Sequence, residues 1–265
     1  TFAGIPSISY NSGWWFLQLA LGYILGRILV SFYLLPKYFS SNIVSIYEVI
    51  GSHYGPLIQR FSSLVFLVTR LLADGIRFLL TAILFDVLTG WGITNSVLVI
   101  GIITLLYSYV GGIKSILWID SIQFVIYLSG GLISIYYLCS FLSADQVASV
   151  INQSLDSVFV FKGSLISDST LFFSGIIGGT MLSFSSHGVD YMMVQRALSC
   201  RDLASARKAM IGSGLFALIQ FSIFLLIGSL LKEFYMSVDF SAISSSYVRD
   251  GIFIKNRELA HFIAT

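Results

Sequence analysis

Met210–Leu231 runs for 22 residues without one charged side chain, MIGSGLFALIQFSIFLLIGSLL. As a helix rising about 1.5 Å per residue, such a run reaches ~33 Å and can cross the ~30 Å hydrocarbon core of a bilayer. It has companions at 14–35, 61–88, 96–110, 119–142 and 171–186. These runs are continuously apolar rather than alternating, which argues for helices and against a β-barrel. Only 11% of residues are charged, too few to hydrate the surface of a soluble domain, where about a quarter are. The expected class is an all-α polytopic membrane protein, a single transmembrane domain over 1–265.

Basic residues in the short connections set the expected orientation. One alternating set holds Lys37 and Arg60, then Lys114, then Arg196, Arg201, Arg207 and Lys208. The opposite set holds Asp86 without a base, and Lys162 against Asp145, Asp156 and Asp168. The first set is therefore expected to be cytoplasmic, in a multi-pass protein of the cell membrane. Pro36 is expected to close the first span, 45–52 to form a short interfacial helix, and 143–169 and 232–258 to be polar connections. The net charge of +2 comes with no basic run of the kind nucleic acid needs. Cys139 and Cys200 read as structural thiols. No leader segment is visible, and ELAHFIAT at the end resembles the start of another span, so a piece of a longer protein is expected. No serine nucleophile elbow, zinc-type histidine pair or phosphate loop occurs, which argues against an enzyme.

Polar groups inside a membrane span are costly, so they mark either internal pairing or a hydrated path. Between two apolar runs stands Tyr107–Gln123, YSYVGGIKSILWIDSIQ. Gly111 and Gly112 suit a tight reversal, with Lys114 as a cytoplasmic anchor. Asp120 and Gln123 fall three apart on one helical face, either at the cytoplasmic mouth of whatever the helices enclose or complementing a helix N-terminus. Arg70, Asp74 and Arg77 follow at spacings of four and three, as a salt-bridged ladder or part of a gating surface. Gly178–Gly179, Ser183, Ser185, Ser186, His187 and Gly188 make a run of small and polar residues at membrane depth. It would line a cavity, or else let helices pack closely. Gln18 and Gln220 are lone amides that face a cavity or tie helices together. No metal-ligand cluster is evident.

Several of these stretches resemble the sodium:solute symporter family. YSYVGGIKSILWIDSIQ is similar to the family's glycine-glycine hairpin, with Ile119 where a threonine is usual and Ile113 for leucine or methionine. DYMMVQRALSCRDLASARKA (190–209) resembles a second family segment, and TFAGIPSISYNSGW (1–14) the outer half of a discontinuous helix. The resemblance implies a LeuT-type inverted-repeat fold, here incomplete, with core helices from about 1b to 7. It implies sodium as coupling ion, with the main sodium ligands outside this chain, and no other cofactor. The implied partners are the lipid bilayer, sodium and a small solute. By resemblance, Ser183 and Ser186 occupy substrate-contacting positions and His187 replaces an aromatic, while Asp120 lies near the cytoplasmic exit for sodium. An asparagine and a gating tyrosine of sugar carriers are lost, so a carboxylate, amino acid or vitamin-like solute is expected instead. A transporter-like sensor domain and an inactive truncated product remain as alternatives.

Overall fold

The computed structural model describes residues 4–40, 46–161, 163, 168, 170–236, 238, 243, 247–249, 252–254 and 256–264. Side chains at 46, 107–108, 110–117, 249 and 264 also lie outside the described set. The chain forms two compact units, each assembled from separated stretches. Unit 1 comprises Thr1–Asn11, Arg70–Ile151 and Ile223–Thr265, and unit 2 comprises Ser12–Thr69 and Asn152–Ser222.

The elements are, in order, α1 (Gly4–Ser12), α2 (Phe16–Leu29), a π-helical turn (Val30–Leu34), α3 (Leu35–Ser40), α4 (Ile46–Tyr54), α5 (Pro56–Thr89), α6 (Ile93–Phe141) and α7 (Ala144–Asp156). They continue with α8 (Phe172–Gly188), α9 (Tyr191–Leu198), α10 (Leu203–Tyr235), the strands β1 (Val248–Arg249) and β2 (Ile252–Phe253), and α11 (Glu258–Ala264). Phe16–Ser40, Trp118–Phe141 and Leu203–Tyr235 are long and apolar enough to cross a membrane.

Three sequence expectations need correction. Pro36 does not close the first helical segment, which continues to Ser40 through the π turn. Proline lacks an N–H and crowds the preceding turn; widening that turn to i→i+5 bonding relieves the crowding. The Leu35 N–H is given to the Val30 carbonyl. In the same register the Ser31 carbonyl would need the N–H that Pro36 lacks, and Arg207 Nε donates to it instead at 3.0 Å. Second, 96–110 and 119–142 belong to one helix, α6, with no reversal of the backbone between them. Glycine in a helix costs only about 1 kcal/mol relative to alanine and keeps its N–H, and no proline interrupts the stretch. The side chains there, Lys114 included, lie outside the described residues, and the backbone of Gly111 and Gly112 runs within the helix. Third, the connection after 142 contains α7. Ser143 and Gln146 form a reciprocal N-terminal cap: the Ser143 N–H donates to Gln146 Oε1 at 2.9 Å, and the Gln146 N–H to Ser143 Oγ at 3.3 Å.

In unit 2, α2 and α8 cross in close contact, and a core of Val30, Leu35, Tyr38, Val194, Ala197, Ala206 and Met210 continues from the crossing. In unit 1, α10 buries Phe224, Leu225, Ile227, Leu230 and Leu231. Phe224 stacks on Tyr127 of α6 with ring centroids 4.4 Å apart. Tyr235 packs on Phe253 of β2 at 4.6 Å. Much of α5 and α6 is apolar yet open, for example Leu57 at 80% and Leu105 at 70% exposure. A soluble monomer does not present such surface; a lipid-facing helix does.

Candidate functional site

The polar groups at membrane depth in unit 2 are organised by glycine. Gly22 on α2 faces Gly179 on α8, while Gly26 lies against Thr180 and Ser183 and Gly175 against Gln18, a small-xxx-small spacing on both helices. A Cβ on Gly22 would collide with the Ile176 carbonyl, one on Gly179 with the Leu19 carbonyl, and one on Gly26 would lie 2.5 Å from the Thr180 carbonyl. With backbones this close, short hydroxyls reach across. Thr180 Oγ1 donates to the Gly22 carbonyl at 3.2 Å and Ser183 Oγ to the Tyr23 carbonyl at 3.0 Å. Further along, Tyr38 Oη donates to the Gly188 carbonyl at 2.8 Å.

Gln18 caps the other end of this crossing. Its side chain is 0% exposed, and Nε2 donates to the Val158 and Thr170 carbonyls, each at 2.8 Å. That amide ties α2 to the chain segment entering α8. Its Oε1 is buried without a partner in the structure. Ser183 is 1% exposed and sits within the helix crossing, its hydroxyl used there. Ser186 and His187 are half-buried, with Ser186 Oγ 2.9 Å from His187 Nδ1. The run from Ser183 stays helical; α8 ends at Gly188, and Asp190 starts α9 by accepting the Met192 and Met193 N–H groups at 3.0 and 3.2 Å. Gln220 lies half-buried on α10.

Sequence reasoning passed over Arg27. It lies one turn beyond Tyr23 on α2 and is 8% exposed. Nη1 donates to Ser213 Oγ at 3.0 Å, and Nε is buried without a partner. A lone arginine in the middle of an apolar run was the available signal.

In unit 1 the expected ladder on α5 is paired within its own helix. Arg70 Nε and Arg77 Nη1 each contact an oxygen of Asp74 at 2.9 Å, and Thr81 Oγ1 donates to the Arg77 carbonyl at 3.0 Å. Asp120 and Gln123 are exposed on α6, about a helical turn apart. A second polar centre, unforeseen in the sequence, gathers around Glu258 at the start of α11. It is 2% exposed, accepts from Ser7 Oγ at 2.9 Å through Oε1, and keeps Oε2 buried without a partner. Ser7 Oγ also accepts the Asn256 N–H at 3.2 Å, and Ser9 Oγ lies 2.7 Å from Ser229 Oγ. Pro6 packs so tightly on Gly228 of α10 that a Cβ there would strike its carbonyl. Among the described residues, no group of three histidine, cysteine or acidic side chains is placed to hold a metal ion.

The family model for the sodium:solute symporters matches residues 1–250. The chain belongs to the sodium:solute symporter family. The human sodium/iodide cotransporter is 28% identical over 221 residues, covering 82% of this chain and 34% of that protein. Human sodium-coupled monocarboxylate transporter 2 is 27% identical over 214 residues, covering 79% and 34%. A putative sodium-dependent multivitamin transporter of Drosophila melanogaster is 23% identical over 213 residues, covering 79% and 35%. The chain thus spans about a third of the length of these relatives. Among solved structures, a Na+-coupled sialic acid symporter in a substrate-bound outward-open state superposes with a TM-score of 0.83 at 21% identity, covering 100% of this chain and 54% of that one. The fold is the all-α, LeuT-type class expected from the motifs, and the family is one of membrane transporters, not enzymes.

Proposed function

We propose that the protein to which this symporter-family chain belongs carries a small organic solute across the cell membrane together with sodium, by alternating access. A carboxylate, amino acid or vitamin-like solute fits better than a sugar. The supporting observation is the glycine-lined crossing of α2 and α8, which concentrates Gln18, Ser183 and Arg27 at membrane depth in a family whose members here include iodide, monocarboxylate and multivitamin carriers. Ser183 and Gln18 act in this reading as the hinge-side framework of the solute site, with Ser186, His187 and Gln220 closer to the solute. Asp120 and Gln123 ease the departing cation toward the cytoplasm.

The connections at Lys37–Arg60, Lys114 and Arg196–Lys208 are assigned to the cytoplasmic side. This orientation rests on the distribution of basic residues in the connections. Uptake by the full-length protein in proteoliposomes, across a panel of carboxylates, amino acids and sugars with sodium present or replaced by choline, tests the function. Uptake indifferent to sodium refutes the coupling, and labelling of cysteines placed at Lys114 or Arg196 from the outside refutes the orientation.

A further inference from the structure

Among the described residues, Arg27 differs from the other basic side chains in where its charge is placed. It is the twelfth of the 25 residues in the membrane-length segment Phe16–Ser40, about 17 Å from one end and 20 Å from the other along the helix. That is close to mid-depth, where a guanidinium without a counter-ion is expensive. The side chain is nevertheless buried, and no carboxylate pairs with it among the described residues. The titratable groups near it are Tyr23 and His187, neither of which is an anion at neutral pH.

The guanidinium is held in place. Ser213 Oγ donates to the Met210 carbonyl at 2.7 Å, which turns its lone pairs to the Arg27 Nη1–H at 3.0 Å. The arginine stem lies over bare backbone at Gly214, where a Cβ would be 3.3 Å from Arg27 Cδ. Ser31, one turn on, spends its hydroxyl on the Arg27 carbonyl at 2.7 Å and leaves the guanidinium alone. One corner of a planar five-donor fork is therefore anchored, and the Nε–H on its other side is buried and unspent.

Building on the transport reading above, we propose that Arg27 is the residue that binds an anionic solute, and that the solute is a small carboxylate. Two carboxylate oxygens match the side edge of a guanidinium, Nε–H together with a terminal N–H. A halide would use the charge but not the fork. The solute's negative charge supplies the counter-ion that no described residue provides, and a neutral sugar has no charge to offer this group.

Equilibrium binding of radiolabelled pyruvate and of iodide to the full-length protein in nanodiscs tests the assignment, with wild type, R27K, R27Q and S213A compared. Pyruvate affinity is expected to fall at least tenfold in R27Q, by a smaller factor in R27K, and about threefold in S213A, which loosens the anchored corner. Iodide is expected to follow charge alone, so that R27K binds it like wild type. Pyruvate binding by R27Q equal to wild type overturns the assignment, because the charge is then neutralised by another part of the full-length protein. If R27Q does not give a monodisperse protein, unchanged pyruvate affinity in both R27K and S213A overturns it equally. Because binding is read without a gradient, Arg27-dependent binding with sodium-independent uptake would sink the coupling alone, and sodium-driven uptake with Arg27-independent binding would sink only this assignment.

Discussion

The π turn at Val30–Leu34 depends on a residue 176 positions away in sequence, and that dependence can be measured. The Ser31 carbonyl is buried and has lost its in-register donor to Pro36, so the Arg207 Nε–H replaces it at 3.0 Å. The same guanidinium lies 5.0 Å from the centre of the Phe32 ring. A hydrogen bond from a charged donor contributes about 1.5–3 kcal/mol, and a partly exposed cation–π contact about 0.5–1 kcal/mol. Arg207→Ala is therefore expected to destabilise the protein by about 2–4 kcal/mol. At roughly 2–4 °C per kcal/mol for a chain of this size, the midpoint of thermal unfolding in detergent should drop by about 4–16 °C.

Pro36→Ala supplies the missing N–H, so the Ser31 carbonyl no longer needs a donor from α10. In that background Arg207→Ala should cost only the ring contact and some packing, about 1 kcal/mol, leaving a coupling of roughly 1–3 kcal/mol in a double-mutant cycle. Equal losses from Arg207→Ala in both backgrounds would show that Arg207 does not serve the carbonyl and that the π turn has another cause.

Neighbouring glycines on α8 should behave very differently. A Cβ at Gly179 meets the Leu19 carbonyl, whereas at Gly178 it meets only Leu19 Cδ2 at 3.8 Å, so G179A should lower stability by about 1–3 kcal/mol and G178A should not; similar midpoints for the two would refute the crossing. Gln18→Leu strips two carbonyls of their donor and should cost about 2 kcal/mol, read as a lower unfolding midpoint. Asp120→Asn keeps size and exposure, so sodium-driven uptake should slow severalfold while the unfolding midpoint stays put; undiminished uptake removes Asp120 from the cation path. At the start of α10, the Asp202 carboxylate accepts the Ser205 N–H at 2.7 Å, and hydrogen bonds from Ser205 hold it below its usual range. A carboxylate depressed on folding stabilises above its unfolded pKa and loses that contribution as pH falls through its folded value. Wild type should therefore weaken more than Asp202→Asn on acidification below about pH 4, and parallel pH curves would refute the cap.

What was legible in the sequence is what depends on period and composition. Uninterrupted apolar runs force helices in lipid, and charge spacings of four and three on α5 place Arg70, Asp74 and Arg77 on one face whatever surrounds them. What escaped depends on partners far along the chain. Pro36 is a helix stop only if its orphaned carbonyl has no other donor, and nothing local announces that Arg207 will arrive from α10. Ser183 reads as cavity-lining or as packing until the distance between α2 and α8 is known; with Gly22 and Gly179 removing the side chains between them, its hydroxyl goes to the Tyr23 carbonyl. Glu258 looks like the charged start of a helix and turns out buried beside Ser7, 251 residues away. Two omissions were avoidable. The Ser143–Gln146 spacing is a helix start in plain view, and a single arginine in the middle of the first apolar run has no innocent place in hydrocarbon. With Arg27 held by Ser213 of α10 and no carboxylate beside it among the described residues, its charge calls for an anion from outside them.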